Sequence, residues 1–113
     1  MSSTVQAPAT TAPSTKAGLT TVDFEIFGKV QGVYFRKFTQ KKATDLGLKG
    51  WVMNTAQGTV IGQMQGPKPA IENMKVWLQK AGSPKSKIEK TSFRNEGAIT
   101  AFRIVIFDVV DSF

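Results

Sequence analysis

A chain of 113 residues with 41% hydrophobic and 20% charged side chains has room for one compact core and has the composition of a soluble globular domain. It contains no cysteine and no histidine, which excludes disulfide staples, thiol nucleophiles, imidazole bases and the zinc sites that depend on those ligands. Fifteen basic against eight acidic side chains give a net charge of +7. This favours an anionic partner but does not choose among phosphate esters, nucleic acid and an acidic membrane surface.

Residues 1–20 are almost entirely Ser, Thr, Ala and Pro with one charge at Lys16, and they hold too few large apolar groups to join a core. They read as a disordered tail, so the folded domain is expected at 21–113. A transit peptide is the alternative, because the tail lacks acids, but it also lacks arginine and amphipathic spacing. No apolar run approaches the roughly 20 residues needed to span a bilayer, and no secretory signal is visible. A cytoplasmic protein with no membrane insertion is the expectation.

From Val22 to Val30 the apolar residues Val22, Phe24, Ile26 and Val30 keep a period of two opposite Asp23 and Glu25, the pattern of a half-buried strand. Glycines 28 and 32 end it. Phe35, Phe38, Ala43 and Leu46 then recur among Lys37, Lys41, Lys42 and Asp45 as in an amphipathic helix, which Gly47 stops. Leu48–Met53 and Thr59–Gln65 read as a hairpin turning around Ala56, Gln57 and Gly58. After Gly66 and Pro67, a second helix places Ile71, Met74, Leu78 and Ala81 on one face with Trp77 beside them, and Gly82, Ser83 and Pro84 end it. Lys87–Arg94 is a weak strand candidate, and Ala101–Val110 is a strongly β-prone run expected to be a buried strand. Trp51 and Trp77 are expected in the core.

This order, β-α-β-β-α-β, predicts an α+β fold of ferredoxin-like split βαβ type, a mixed or antiparallel sheet with two helices on one face. The fold does not decide function, because it serves RNA-binding modules, regulatory domains and hydrolases alike. The residues with most to say are Gly28, Lys29, Val30, Gln31, Gly32, Val33, Tyr34, Phe35 and Arg36, between a strand end and a helix start. There the first amides of the helix lack internal acceptors and sit at the positive end of its dipole, so a glycine-bearing loop can wrap N–H groups around a phosphate. Arg36 can add a fork of two parallel hydrogen bonds to phosphoryl oxygens. A plain tight turn with a solvated arginine is the competing reading. Neither Gly-x-x-x-x-Gly-Lys-Ser/Thr nor Gly-x-Gly-x-x-Gly is present.

The run Phe27 to Arg36, followed by Gly50, Trp51, Val52, Met53, Asn54, Thr55 and then Gly58, Thr59, Val60, resembles the animal-type acylphosphatase family, with both signature blocks in order and at family-like spacing. The likeness covers about residues 22–110. It implies hydrolysis of a carboxyl-phosphate anhydride to carboxylate and inorganic phosphate. Carried across, it makes Gln31, Gly32, Val33, Tyr34, Phe35 and Arg36 the phosphate cradle and Asn54 the residue that orients the attacking water. Thr55 is a secondary candidate for a neighbouring contact. It implies no cofactor and no metal, a monomer, and small acyl phosphates or aspartyl-phosphorylated proteins as substrates. The C-terminus departs from the animal pattern, with Asp111 where a terminal aromatic is usual if Phe107 and Val109 match the family's Phe-x-Ile.

Two other classes compete with this reading. A basic domain of this topology can stack nucleic-acid bases on exposed sheet aromatics, but Gly32 to Phe35 fall at a loop and helix start rather than on a central strand, so no nucleic-acid partner is expected. A phosphate-sensing domain would keep the anion loop and lose catalysis. The lysines at 37, 41 and 42 and at 80, 85, 87 and 90 read as solvated faces that also attract anions.

Overall fold

The computed structural model describes residues 18–110. Five strands and two helices follow in the order β1 (Leu19–Lys29), α1 (Phe35–Asp45), β2 (Lys49–Asn54), β3 (Val60–Pro67), α2 (Lys68–Lys80), β4 (Lys87–Ile99) and β5 (Phe107–Val110). They form one mixed sheet in the spatial order β4-β1-β3-β2-β5. β1 pairs antiparallel with β3 and β4, β2 antiparallel with β3, and only β5 joins in parallel, beside β2. The first four strands with both helices packed on them are the split βαβ arrangement, extended by one edge strand.

The period of two in β1 decides which face is covered. Val22, Phe24 and Ile26 point to the helices, where Val52, Val60 and Met64 from the neighbouring strands join them in the buried core. From α2, Ile71, Met74 and Leu78 are fully buried against this layer, while Ala81 lies past the end of the helix and is exposed. In α1 the buried positions are Phe35, Thr39 and Ala43. Phe38, expected on that face, is 39% exposed, because the inward stripe of α1 advances in steps of four and passes it by. Trp77 packs against Phe35, ring centroids 5.9 Å apart.

Three elements differ from the sequence expectation. β1 begins at Leu19, so Leu19 and Thr20, both buried, belong to the folded domain; the tail expectation for residues 1–17 lies outside the described residues, as does Asp111. The weak candidate Lys87–Arg94 is part of the longest strand, because its pairing with β1 continues to Ile99 opposite Leu19. Of the run Ala101–Val110, only Phe107–Val110 is strand. β4 and β5 occupy opposite edges, so the chain must pass the ends of three strands, four spacings or about 19 Å. Thr100–Ile106 reach about 23 Å when extended and are consumed by that crossing, held midway where the Arg103 amide donates to Gln65 Oε1 at 2.9 Å.

Trp51 also departs from expectation. It is half-buried on the face the helices leave uncovered, paired with Gln63 on β3 and Asp108 on β5. Among the described residues no helix is long and apolar enough to cross a membrane.

Candidate active site

β1 ends at a bulge. Its register with β4 shifts between Phe27 and Gly28, and Gly28 takes φ 126. A Cβ there would stand 2.1 Å from the Lys87 carbonyl oxygen, so only glycine lets the two backbones approach. The chain then turns through Gly32 at φ 73 and Tyr34 at φ 59 into α1. A left-handed conformation costs a non-glycine residue about 1–2 kcal/mol.

This turn walls a cavity of about 370 Å³ lined by Val30, Gly32, Tyr34, Phe35, Arg36, Lys37, Asn54 and Val109. Three places in the sequence meet here: the β1–α1 loop with the first turn of α1, the end of β2, and β5. Among the described residues the amides of Gly32, Val33 and Tyr34 donate to no backbone carbonyl, and the first amides of α1 have no acceptor within their own helix. Arg36 and Lys37 occupy the first turn of α1, which carries no acidic residue. Cations at a helix N-terminus oppose the dipole, a cost that an anion bound at this end of α1 would offset.

Arg36 is half-buried, and its Nη1 donates to the Val110 carbonyl at 3.0 Å, so the end of β5 orients the guanidinium at the cavity. Asn54, the last residue of β2, contributes a side-chain oxygen that is buried and has no hydrogen-bond partner among the described residues. A buried amide oxygen without a donor is costly. Its position in this wall is where a water or a ligand hydroxyl would satisfy it.

The side chains of Gln31, Val33 and Thr55 are engaged away from the cavity. Val33 is packed in the core. Gln31 Nε2 donates to the carbonyls of Thr55 and Thr59, each at 2.8 Å, and so ties the β1–α1 loop to the β2–β3 turn. In that turn Thr59 Oγ1 donates to Glu25 Oε2 at 2.8 Å, which leaves Thr55 Oγ1 as the donor in its 2.7 Å contact with Thr59 Oγ1. Thr55 Oγ1 also accepts from the amides of Gln57 and Thr59. The glutamine and both threonines thus hold Asn54 opposite the loop, a bracing task that motif reading assigned to none of them. Val109 was equally invisible, since only the parallel pairing of β5 with β2 brings it to the wall. Lys37 carried a signal, a second cation in a helix first turn. Among the described residues no group of three or more Asp or Glu side chains gathers where it could hold a metal ion.

Fold and cavity define a class: a two-layer α+β domain with a cationic cavity where a strand-to-helix loop faces the end of a neighbouring strand. Residues 22–107 match the acylphosphatase family model. The chain is 54% identical over 88 residues to Acylphosphatase-1 of Xenopus tropicalis, covering 78% of this chain and 90% of that one. It is 48% identical over 96 residues to human Acylphosphatase-2, covering 85% and 97%. The crystal structure of acylphosphatase from Bacillus subtilis superposes with a TM-score of 0.75 at 33% identity, covering 80% of this chain and 98% of that one. The protein therefore belongs to the acylphosphatase family and is a hydrolase of acyl phosphates, with inorganic phosphate as product.

Proposed function

We propose that the phosphoryl group sits in the cavity with its oxygens on the amides of residues 31–36 and on the Arg36 guanidinium, while Asn54 holds the attacking water. The observation that carries this reading is the unpartnered, buried Asn54 Oδ1 in the same wall as Arg36 and the N-terminus of α1. An amide offers an acceptor to one water proton and donors besides, which fixes the direction of the oxygen lone pair. The water oxygen bonds to phosphorus as the bond from phosphorus to the acyl oxygen breaks; the carboxylate leaves with the electron pair, and both water protons end on the phosphate product. A carboxylate is a good leaving group, so positioning and charge neutralisation supply the catalysis without a histidine or cysteine.

The protein acts as a monomer, as the family resemblance implies. The substrates are small acyl phosphates, and the aspartyl phosphate of a protein has the same reacting bond. The enzyme needs no cofactor or metal and works in the cytoplasm, where a chain without cysteine has no disulfide to form. The deciding measurement is the initial rate of benzoyl phosphate hydrolysis without added metal, with Arg36→Ala in parallel. A fast wild-type rate that the variant loses establishes the site. An Arg36→Ala rate equal to wild type refutes it.

A further inference from the structure

The proposed mechanism uses Tyr34 only through its backbone, yet its side chain, 75% exposed, is the most exposed aromatic among the described residues and stands in the wall of the cavity. Three observations set it apart from an ordinary surface aromatic. Its backbone lies at φ 59 and ψ 24, which glycine or asparagine adopts with less strain. It occupies the N-cap position of α1, but its side chain makes no capping hydrogen bond, whereas Ser, Asp or Asn there would make one. With three-quarters of its surface open it has little packing to offset the strain. Neither backbone conformation, capping nor burial accounts for a tyrosine here, and strain held at a cavity wall is a mark of function.

A phosphate group fills only a fraction of a cavity of about 370 Å³. The same wall carries apolar Val109 on β5, half-buried, and buried Val30. With the phosphoryl group on the loop amides and Arg36, the remaining volume is left for the acyl group, and Tyr34, Val109 and Val30 are among the residues that bound it. We infer that Tyr34, with Val109, forms an acyl subsite that selects aromatic or extended apolar acyl groups over acetyl. Tyr34 is thus a specificity-determining residue that acts on the leaving carboxylate's side of the substrate, in an inference that rests on the phosphate placement proposed above. A tyrosine ring suits this task because it offers a large apolar face with few rotatable bonds to immobilise.

The test compares kcat/KM for benzoyl phosphate and acetyl phosphate, together with inhibition by inorganic phosphate, in the wild type, Tyr34→Asn and Tyr34→Phe. Asparagine tolerates the left-handed backbone, so the loop is kept. In Tyr34→Asn, the ratio of kcat/KM for benzoyl phosphate to kcat/KM for acetyl phosphate is expected to fall about fivefold, the scale of one lost aromatic contact. Tyr34→Phe is expected to keep the benzoyl preference. An unchanged benzoyl-to-acetyl ratio in Tyr34→Asn overturns the subsite. So does a parallel fall of both substrates with weakened phosphate inhibition, which would mean that the side chain only shapes the loop. Failure of the underlying phosphate placement shows separately, as an Arg36→Ala enzyme that still turns over both substrates.

Discussion

Asn54 and Arg36 reach the cavity by different routes, and their variants are expected to fail differently. Asn54 ends a paired strand and presents one unpartnered oxygen. Asn54→Ala is expected to lose about 3 kcal/mol of transition-state stabilisation, by analogy with deletion of one preorganised polar group, or more than 100-fold in kcat, with inhibition by inorganic phosphate unchanged. Steady-state kinetics with phosphate as inhibitor separate the two effects, and normal turnover in the variant would remove the water-positioning role. The two loop glycines also differ in kind. At Gly28 an added Cβ meets backbone at 2.1 Å, whereas at Gly32 it meets nothing within 4 Å. Gly32→Ala therefore carries only a conformational cost of about 1 kcal/mol, while Gly28→Ala must also separate β1 from β4 and is expected to cost well over about 2 kcal/mol. Urea unfolding of both variants checks the order, and equal destabilisation would contradict it. The sequence named both glycines as loop makers. The difference between them depends on what lies across the sheet, which no local pattern carries.

The strand-to-helix loop and the β2–β3 turn are separate elements joined by one side chain. Gln31→Ala removes both bonds from Nε2 to the carbonyls of Thr55 and Thr59, at an expected cost of about 1–3 kcal/mol in stability, and it frees the loop to drift from Asn54. Its kcat is expected to fall together with its Tm, a combination that a residue serving only as phosphate ligand would not produce. At the far end of the sheet, Glu96 on β4 accepts from Lys75 at 2.6 Å and from Lys68 at 3.0 Å, both on α2. These bonds hold the Glu96 carboxyl below its ordinary value near 4.5. A depressed carboxyl pKa contributes stability above pH 4.5 that is lost as pH falls through the folded value. Thermal unfolding of wild type and Glu96→Gln is thus expected to differ at pH 7 and to converge in acid below pH 4.5; a gap that persists there would assign the effect to packing. Lys68 is raised by the same hydrogen bond to Glu96, so that bond is weakened at both extremes, in acid as the carboxyl is protonated and in strong alkali as the ammonium loses its proton. Helix α2 was legible because its apolar face repeats along one element. The run after Thr100 was misread because β propensity describes a fit to a pleated surface, and most of that run has no surface to fit.

For the whole molecule, the net charge of +7 and the cavity lined by Arg36 and Lys37 favour capture of a dianionic substrate. Because exposed charges are screened over about 10 Å at 0.1 M salt, kcat/KM for benzoyl phosphate is expected to fall severalfold between low and high ionic strength while kcat stays nearly level. Stopped-flow or initial-rate data across a sodium chloride series test this, and a salt-independent kcat/KM would mean that steering contributes nothing. The sequence by itself determined the order of elements from β1 through α2, the covered face of β1, the buried face of α2 and the family. Each of these is written in short-range periodicity or in two contiguous motifs. Only the tertiary structure decided that the Gln31 and Thr55 side chains brace the site, that Trp51 stands on the open face, that β5 adds Val109 to the wall and the Val110 carbonyl as acceptor for Arg36, and that Tyr34 is left exposed. These facts concern residues far apart in the chain, and they became definite only when sheet pairing placed β5 beside β2 and the β2–β3 turn against the β1–α1 loop.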